Sequence, residues 1–131
     1  MSTGGLDNNV KVGYHEYDFA KDGGAVGDIP LRGNDIPKDA IILDGMVDVQ
    51  NALLSGGATT AALKQVSVDD LLAATAKASF AANAKLDIVP VGTAATCIRT
   101  TAKGKPVMTV AVAPLTAGKF TLCTRYVLPR D

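Results

Sequence analysis

The chain has 131 residues, the size of one domain, and a formal net charge of zero at pH 7, which argues against a general nucleic-acid binder. Apolar residues make up 47%, but there is no Trp and only three Phe and three Tyr, so a core must rest largely on Val, Ile, Leu, Ala and Met. No run of about 18 apolar residues occurs, so no membrane partner is expected, and the start, Met1-Ser2-Thr3-Gly4-Gly5, lacks the basic and apolar regions of a signal peptide.

Composition also points to strands and turns. There are 12 Asp and a single Glu, Glu16. Asp favours turns and caps, whereas Glu favours helix interiors. The 12 Thr and 13 Gly act in the same direction. The zero net charge hides an asymmetry. Residues 1–48 carry nine acids and four bases, a net −5; residues 85–131 carry seven bases and two acids, a net +5. Opposite ends of this kind attract either within one fold or between neighbouring copies.

Residues 1–9 are polar and read as a flexible N-terminal arm, leaving 10–131 as a single β-sandwich domain. Val10 to Phe19 reads as a strand, with Val10, Val12 and Tyr14 alternating with Lys11, Gly13 and His15. Asp22-Gly23-Gly24 is a turn signal. Val26 to Leu31 reads as a short strand, placed at an edge by Pro30. After a loop over Asn34 to Asp39, Ile41 to Val49 reads as a strand with Ile41, Leu43, Val47 and Val49 on one face and Asp44, Asp48 and Gln50 on the other. Ser55-Gly56-Gly57 is a turn, and Thr59 to Val68 a further strand. Ser67 or Asp69 then caps a predicted short helix through Asp70-Leu71-Leu72-Ala73-Ala74.

Residues 85–91 are ambiguous. Three strands follow, over Thr93 to Ala102, Pro106 to Ala113 and Lys119 to Leu128. Their turns are Lys103-Gly104-Lys105 and Leu115-Thr116-Ala117-Gly118. In the last strand Phe120, Leu122 and Tyr126 share one face, and Cys123 and Arg125 the other. The expected fold is all-β, an antiparallel β-sandwich (jelly-roll or immunoglobulin-like) with one short helix.

Chemistry-bearing residues are sparse. His15 is the only histidine, so it cannot build a histidine metal cluster. No serine lies in a Gly-x-Ser-x-Gly elbow to pair with it. It reads as a surface or interface residue. Asp18, Asp22 and Asp28 surround a Gly-rich loop, but their spacing is not that of a calcium loop and no Glu closes it. Gly23-Gly24-Ala25-Val26-Gly27 lacks the Lys-Ser/Thr and the helix of a phosphate loop. Cys97 and Cys123 form no metal or redox motif and read as free thiols. The expectation is a protein that is not an enzyme and uses no cofactor.

Three segments nevertheless have a recognisable order: Tyr17-Asp18-Phe19-Ala20 with Gly23-Gly24-Ala25-Val26-Gly27, then Ile36-Pro37-Lys38-Asp39-Ala40-Ile41-Ile42, then Leu115-Thr116-Ala117-Gly118-Lys119-Phe120 with Tyr126-Val127. Together they resemble the capsid decoration, or cement, proteins of tailed bacteriophages, over about residues 10 to 128. The resemblance implies a β-sandwich or jelly-roll knob on the outer surface of a phage head. It implies a homo-oligomer, a trimer favoured over a dimer, that bridges neighbouring major capsid subunits. No catalytic residue carries over.

Candidate contact residues for the capsid or for self-association are Ser2, Thr3, Leu6 and Val10 in and beside the arm, Gly23, Gly24 and Gly27 in the loop, and the basic Arg99, Lys103 and Lys105. A competing reading is a tail or fibre knob that binds host-surface carbohydrate, with Tyr14, Tyr17 and Tyr126 as the available platforms. A small jelly-roll hydrolase is a third, disfavoured by the scarcity of His and Glu.

Overall fold

A computed structural model describes residues 10–66, 70–88 and 98–128. Strands dominate it. They are β1 (Val10–Asp18), β2 (Gly27–Pro30), β3 (Arg32–Gly33), β4 (Ile41–Ser55), β5 (Thr60–Lys64), β6 (Leu72–Ala76), β7 (Lys85–Ile88), β8 (Ile98–Arg99), β9 (Val107–Ala111) and β10 (Leu115–Val127). One short helix, α1 (Phe19–Asp22), follows β1, and a 3-10 turn spans Lys77–Ser79. Two antiparallel sheets form a sandwich. The first has the order β3-β1-β10-β4-β7, with β8 also on β4; the second is β2-β9-β5-β6.

β10 is the central strand of the first sheet. It pairs with all nine residues of β1 on one side and with β4 from Leu115↔Ser55 to Val127↔Ile41 on the other. Its inward residues Phe120, Leu122, Thr124 and Tyr126 are buried, as period-two alternation requires. The Phe120 ring lies 5.5 Å from that of Tyr17 and 6.2 Å from that of Phe80. Such pairs contribute about 0.5–1.5 kcal/mol beyond area burial. Facing them, the second sheet contributes Ile29, Ala61, Leu63, Met108 and Val110 to the same core.

Four sequence expectations are corrected. The short helix exists but not at Asp70–Ala74, because Leu72–Ala76 is strand β6 on β5. Asp70 is buried, and its carboxylate accepts the backbone N–H groups of Gln65 (2.7 Å) and Val66 (2.9 Å), while Leu71 N–H donates to Leu63 O. The carboxylate thus fastens the β5–β6 connection, and strand pairing overrides the helix propensity of the alanines. Ser67 and Asp69, the expected caps, lie outside the described residues, as do residues 93–97 of the expected strand ending at Ala102.

The second correction concerns Leu115–Gly118, which is not a turn but the irregular start of β10, with register shifts at Ala117 and Lys119. Gly118 has φ +146°, and a Cβ there would lie 2.1 Å from Leu53 Cδ2. Third, Leu43 does not share a face with Val47. Arg125 pairs with Asp44 and Tyr126 with Ile42, so Leu43 is an extra residue in a bulge. The bulge changes the phase, and Ile42, not Ile41 or Leu43, is buried in line with Val47 and Val49. Fourth, His15 is in the core at 1% exposure. Tyr17 packs on Phe120 and fixes the phase of β1, so Gly13, His15 and Tyr17 point in while Val10, Val12 and Tyr14 point out.

The irregular start of β10 yields a test. Gly118→Ala should lower unfolding free energy by roughly 2–4 kcal/mol, from backbone strain and overpacking together. Gly56→Ala, where a Cβ meets nothing within 4 Å, should be near neutral in the same denaturant titration.

Candidate interaction surface

The described charges are largely engaged within the fold. Arg125 grips Asp44 through two hydrogen bonds, Lys85 pairs with Asp48 at 2.9 Å, Lys105 with Asp35 at 2.9 Å and Arg99 with Asp39 at 3.5 Å. In each pair a base from residues 85–131 meets an acid from residues 1–48. The charge asymmetry of the sequence is therefore answered within one copy. The Arg125 guanidinium holds the Asp44 carboxyl below its ordinary range, and Lys105 does the same for Asp35. Arg32 joins Glu16 (2.7 Å) and Asp22 (2.9 Å), which ties β3, β1 and α1 together.

The candidate calcium acids are also engaged. Asp18 caps α1 by accepting from Ala20 N–H at 3.0 Å, Asp22 accepts from Asp18 N–H at 2.9 Å, and Asp28 meets Lys64 Nζ and the Thr109 hydroxyl. Among the described residues no three of His, Cys, Asp and Glu come together as a metal site would need.

The exposed apolar residues gather largely on one sheet face. Register places residues of the first sheet in rows across its outward face: Val10–Val127–Ile41–Arg99, then Val12–Arg125–Asp44, then Tyr14–Cys123–Met46–Asp87, then Glu16–Thr121–Asp48–Lys85. Val10 (49% exposed), Val12 (45%), Tyr14 (61%) and Met46 (38%) stand on this face. They are half of the eight exposed large apolar residues among those described, so the exposure is concentrated. Two open depressions lie there. One, about 280 Å³, is lined by Tyr14, His15, Glu16, Arg32, Gly33 and Thr121. The other, about 320 Å³, is lined by Val12, Asp44, Gly45, Met46, Cys123 and Arg125. The Cys123 thiol is free, and burial first, then Asp48, pushes its pKa up, away from the reactive thiolate.

The sequence candidates fall in several places. Ser2, Thr3 and Leu6 lie outside the described residues. Val10 opens β1 on the apolar face, in one row with Arg99 three strands away. Gly23 ends α1 with φ +75°; its carbonyl accepts the Tyr17 hydroxyl at 2.6 Å. Burial, with Asp22 and Asp18 nearby, pushes that phenol up to about 12. Gly24 is buried, and a Cβ there would lie 2.4 Å from Leu115 O. Gly27 starts β2 opposite Val110. Gly23 and Gly24 therefore hold the connection onto β10. Lys103 and Lys105 flank Gly104, which bridges to Ile36, and Lys105 is engaged by Asp35. The structure does not gather these candidates into one patch. Val12, Tyr14, Met46 and Cys123 were missed, although the Val10/Val12/Tyr14 alternation was their signal. For carbohydrate, Tyr17 is 0% and Tyr126 9% exposed, so Tyr14 alone of the three tyrosines offers a ring to solvent.

His15 is the buried ionisable group that this face covers. Its Nε2–H donates to Asn34 O, and its Nδ1 is buried without a hydrogen-bond partner. Burial lowers its pKa, outweighing the Asn34 carbonyl and Asp35, which raise it; Lys105 lowers it further.

By architecture the chain belongs with two-sheet antiparallel sandwiches whose exposed apolar surface is a flat sheet face. No protein-family model and no curated protein matches the sequence. Solved structures do match the fold. A chain of the "Cyanophage Pam1 capsid asymmetric unit" aligns with TM-score 0.67 at 18% identity, over 92% of this chain and 86% of that one. A chain of the "Capsid of Ralstonia phage GP4" aligns with 0.63 at 19%, over 95% and 89%. A chain of the "Acidic stable capsid structure of Helicobacter pylori bacteriophage KHP30" aligns with 0.62 at 16%, over 94% and 90%. At these identities the likeness establishes the shared fold.

The histidine geometry sets a pH dependence. The unfolded chain binds a proton on His15 near its ordinary value of 6.5, whereas the folded chain resists it. Stability should therefore be complete above about 6.5 and fall as pH drops below it. The depressed Asp35 and Asp44 act in a separate window, below 3.8. In urea titrations at pH 7 and 5, His15→Gln should remove the loss between those two values, whatever its absolute stability.

Proposed function

We propose that the chain is a structural protein of a bacteriophage virion, a capsid decoration or cement protein that binds the outer surface of the head and bridges neighbouring major capsid subunits. The supporting observation is the near-complete two-way coverage of its fold by chains from capsids of phages with three different hosts. A shared domain inside a larger, unrelated protein would cover this chain but not the other.

The physical features fit the role. A capsid is held by many weak, wide contacts, and a flat apolar sheet face suits them better than a cleft. Most charges beside that face are engaged by their own chain, so docking through it draws mainly on apolar area, with Arg125–Asp44 and the exposed Asp87 as polar positions. The residues ahead of Val10, including Ser2, Thr3 and Leu6, contribute contacts to the head. Each bound copy stabilises the shell by preferring the assembled state over free capsid subunits, which is linkage by mass action. The protein is a homo-oligomer made in the host cytoplasm and carried on the virion.

The test is co-sedimentation of the purified chain with empty heads of its phage, with capsid melting followed in parallel. The chain should pellet with expanded heads, raise their melting temperature and ignore monomeric capsid protein. Met46→Asp, exposed and outside the core, should weaken head binding by roughly tenfold or more while leaving the circular dichroism spectrum unchanged. Equal occupancy for wild type and variant would remove this face from the contact, and no pelleting at all would remove the capsid role.

A further inference from the structure

The margin of the first sheet is unevenly covered. β10 pairs with β1 along its whole length, but on the other side β3 pairs only with His15 and Glu16. Among the described residues no strand lies against Val10–Tyr14 on that side. The second sheet protects one margin differently: β2 is four residues long and ends in Pro30. The open part of β1 holds no proline and no bulge. It is a five-residue stretch whose outer backbone groups have no strand partner among the described residues, ending where β3 begins.

From this we infer that the open margin of β1 is the interface with a second copy of this chain, paired antiparallel about a two-fold axis through Val12, so that the first sheets of two copies become one. The register follows from the residues. Pairing across a two-fold through Val12 sets Val12 against Val12, Val10 against Tyr14 and Lys11 against Gly13. Val10, Val12 and Tyr14 all lie on the outward face, so a β-branched side chain meets an aromatic one twice and Val meets Val once, which are favourable cross-strand pairs. Lys11 lies opposite a residue with no side chain, so neither copy's ammonium confronts the other.

The neighbouring registers fail for stated reasons. A two-fold through Lys11 places two ammonium groups directly opposite each other. A two-fold through Gly13 requires Lys11 to pair with His15, whose free side is already taken by β3. A register offset by one residue turns the outward face of one copy against the inward face of the other. The open stretch therefore complements itself in one way. That self-complementarity in charge and side-chain size selects a second copy over a foreign strand. The pairing would also join two exposed apolar columns into one broader strip on the same face.

This inference specifies the homo-oligomer of the proposed function but does not need the capsid role, because it concerns the free protein. Sedimentation equilibrium on the full chain without heads should give twice the 13.4 kDa chain mass. Val12→Lys should raise the dissociation constant about tenfold or more, since it sets like charges face to face. Val12→Cys in a Cys97→Ser/Cys123→Ser background should form a disulfide-linked dimer on mild oxidation, because opposed residues in antiparallel strands lie about 4.5–5.5 Å apart at Cα, within disulfide reach. Val112→Cys in that background, 73% exposed and far from β1 in sequence and sheet, should not. A monomer at all concentrations, a threefold mass, a dimer indifferent to Val12→Lys, or equal cross-linking of the two cysteine variants would each overturn the pairing. So would protection of the Val10–Tyr14 amides from exchange only after heads are added, which would give the margin to another protein's strand. Should Val12→Lys fail to fold, the cross-linking comparison decides alone.

Discussion

The structure depends on one central strand being paired on both sides. β10 joins β1, the first described strand, to β4, the longest described strand, and its inward Phe120 carries the aromatic contacts of the core. Phe120 packs against both Tyr17 and Phe80, and the Tyr17–Phe120 contact joins residues more than 100 positions apart in sequence. Contacts of that range close late and cost loop entropy first, which is why a core poor in aromatics concentrates them at one point.

The central strand also organises the charges. Because β10 and β8 from the basic end lie against or beside strands from the acidic end, Arg125 and Arg99 find Asp44 and Asp39 without leaving their own copy. These exposed pairs add little stability. Their larger effect is on the surface. With most charges matched internally, the outward face of the first sheet presents Val10, Val12, Tyr14 and Met46 with few unpaired charges beside them, Asp87 being one. A flat, electrically quiet, apolar face is suited to broad contact and poorly suited to gripping a small molecule.

The fold class was legible in the sequence because its evidence is local. Alternation placed β1, β9 and the regular part of β10, and Pro30 correctly placed β2 at a margin. What was not legible required knowledge of partners. The bulge at Leu43 arises from how β4 meets β10, and a single extra residue reversed the inferred facing of everything before it. The alanines after Asp70 favour helix in isolation, and only β5 alongside makes them a strand. The apolar face went unread for a related reason. Val10, Val12 and Tyr14 look like a core-facing set, and nothing short of the Tyr17–Phe120 contact shows that their neighbours point inward instead. The glycine loop reads in the sequence as a candidate contact, and in the fold Gly24 holds the backbone of Leu115 and Gly23 the Tyr17 hydroxyl.

Sealing the sole imidazole beneath the sheet has an effect on the exterior. Histidine is the one side chain whose ordinary pKa falls between about pH 5 and 8, and this chain has a single copy of it, buried. No imidazole is left on the outside to gain or lose a proton across that interval. Across that interval the exterior changes charge less than a surface bearing imidazoles would, so neighbouring copies in any array gain little mutual repulsion from mild acidification.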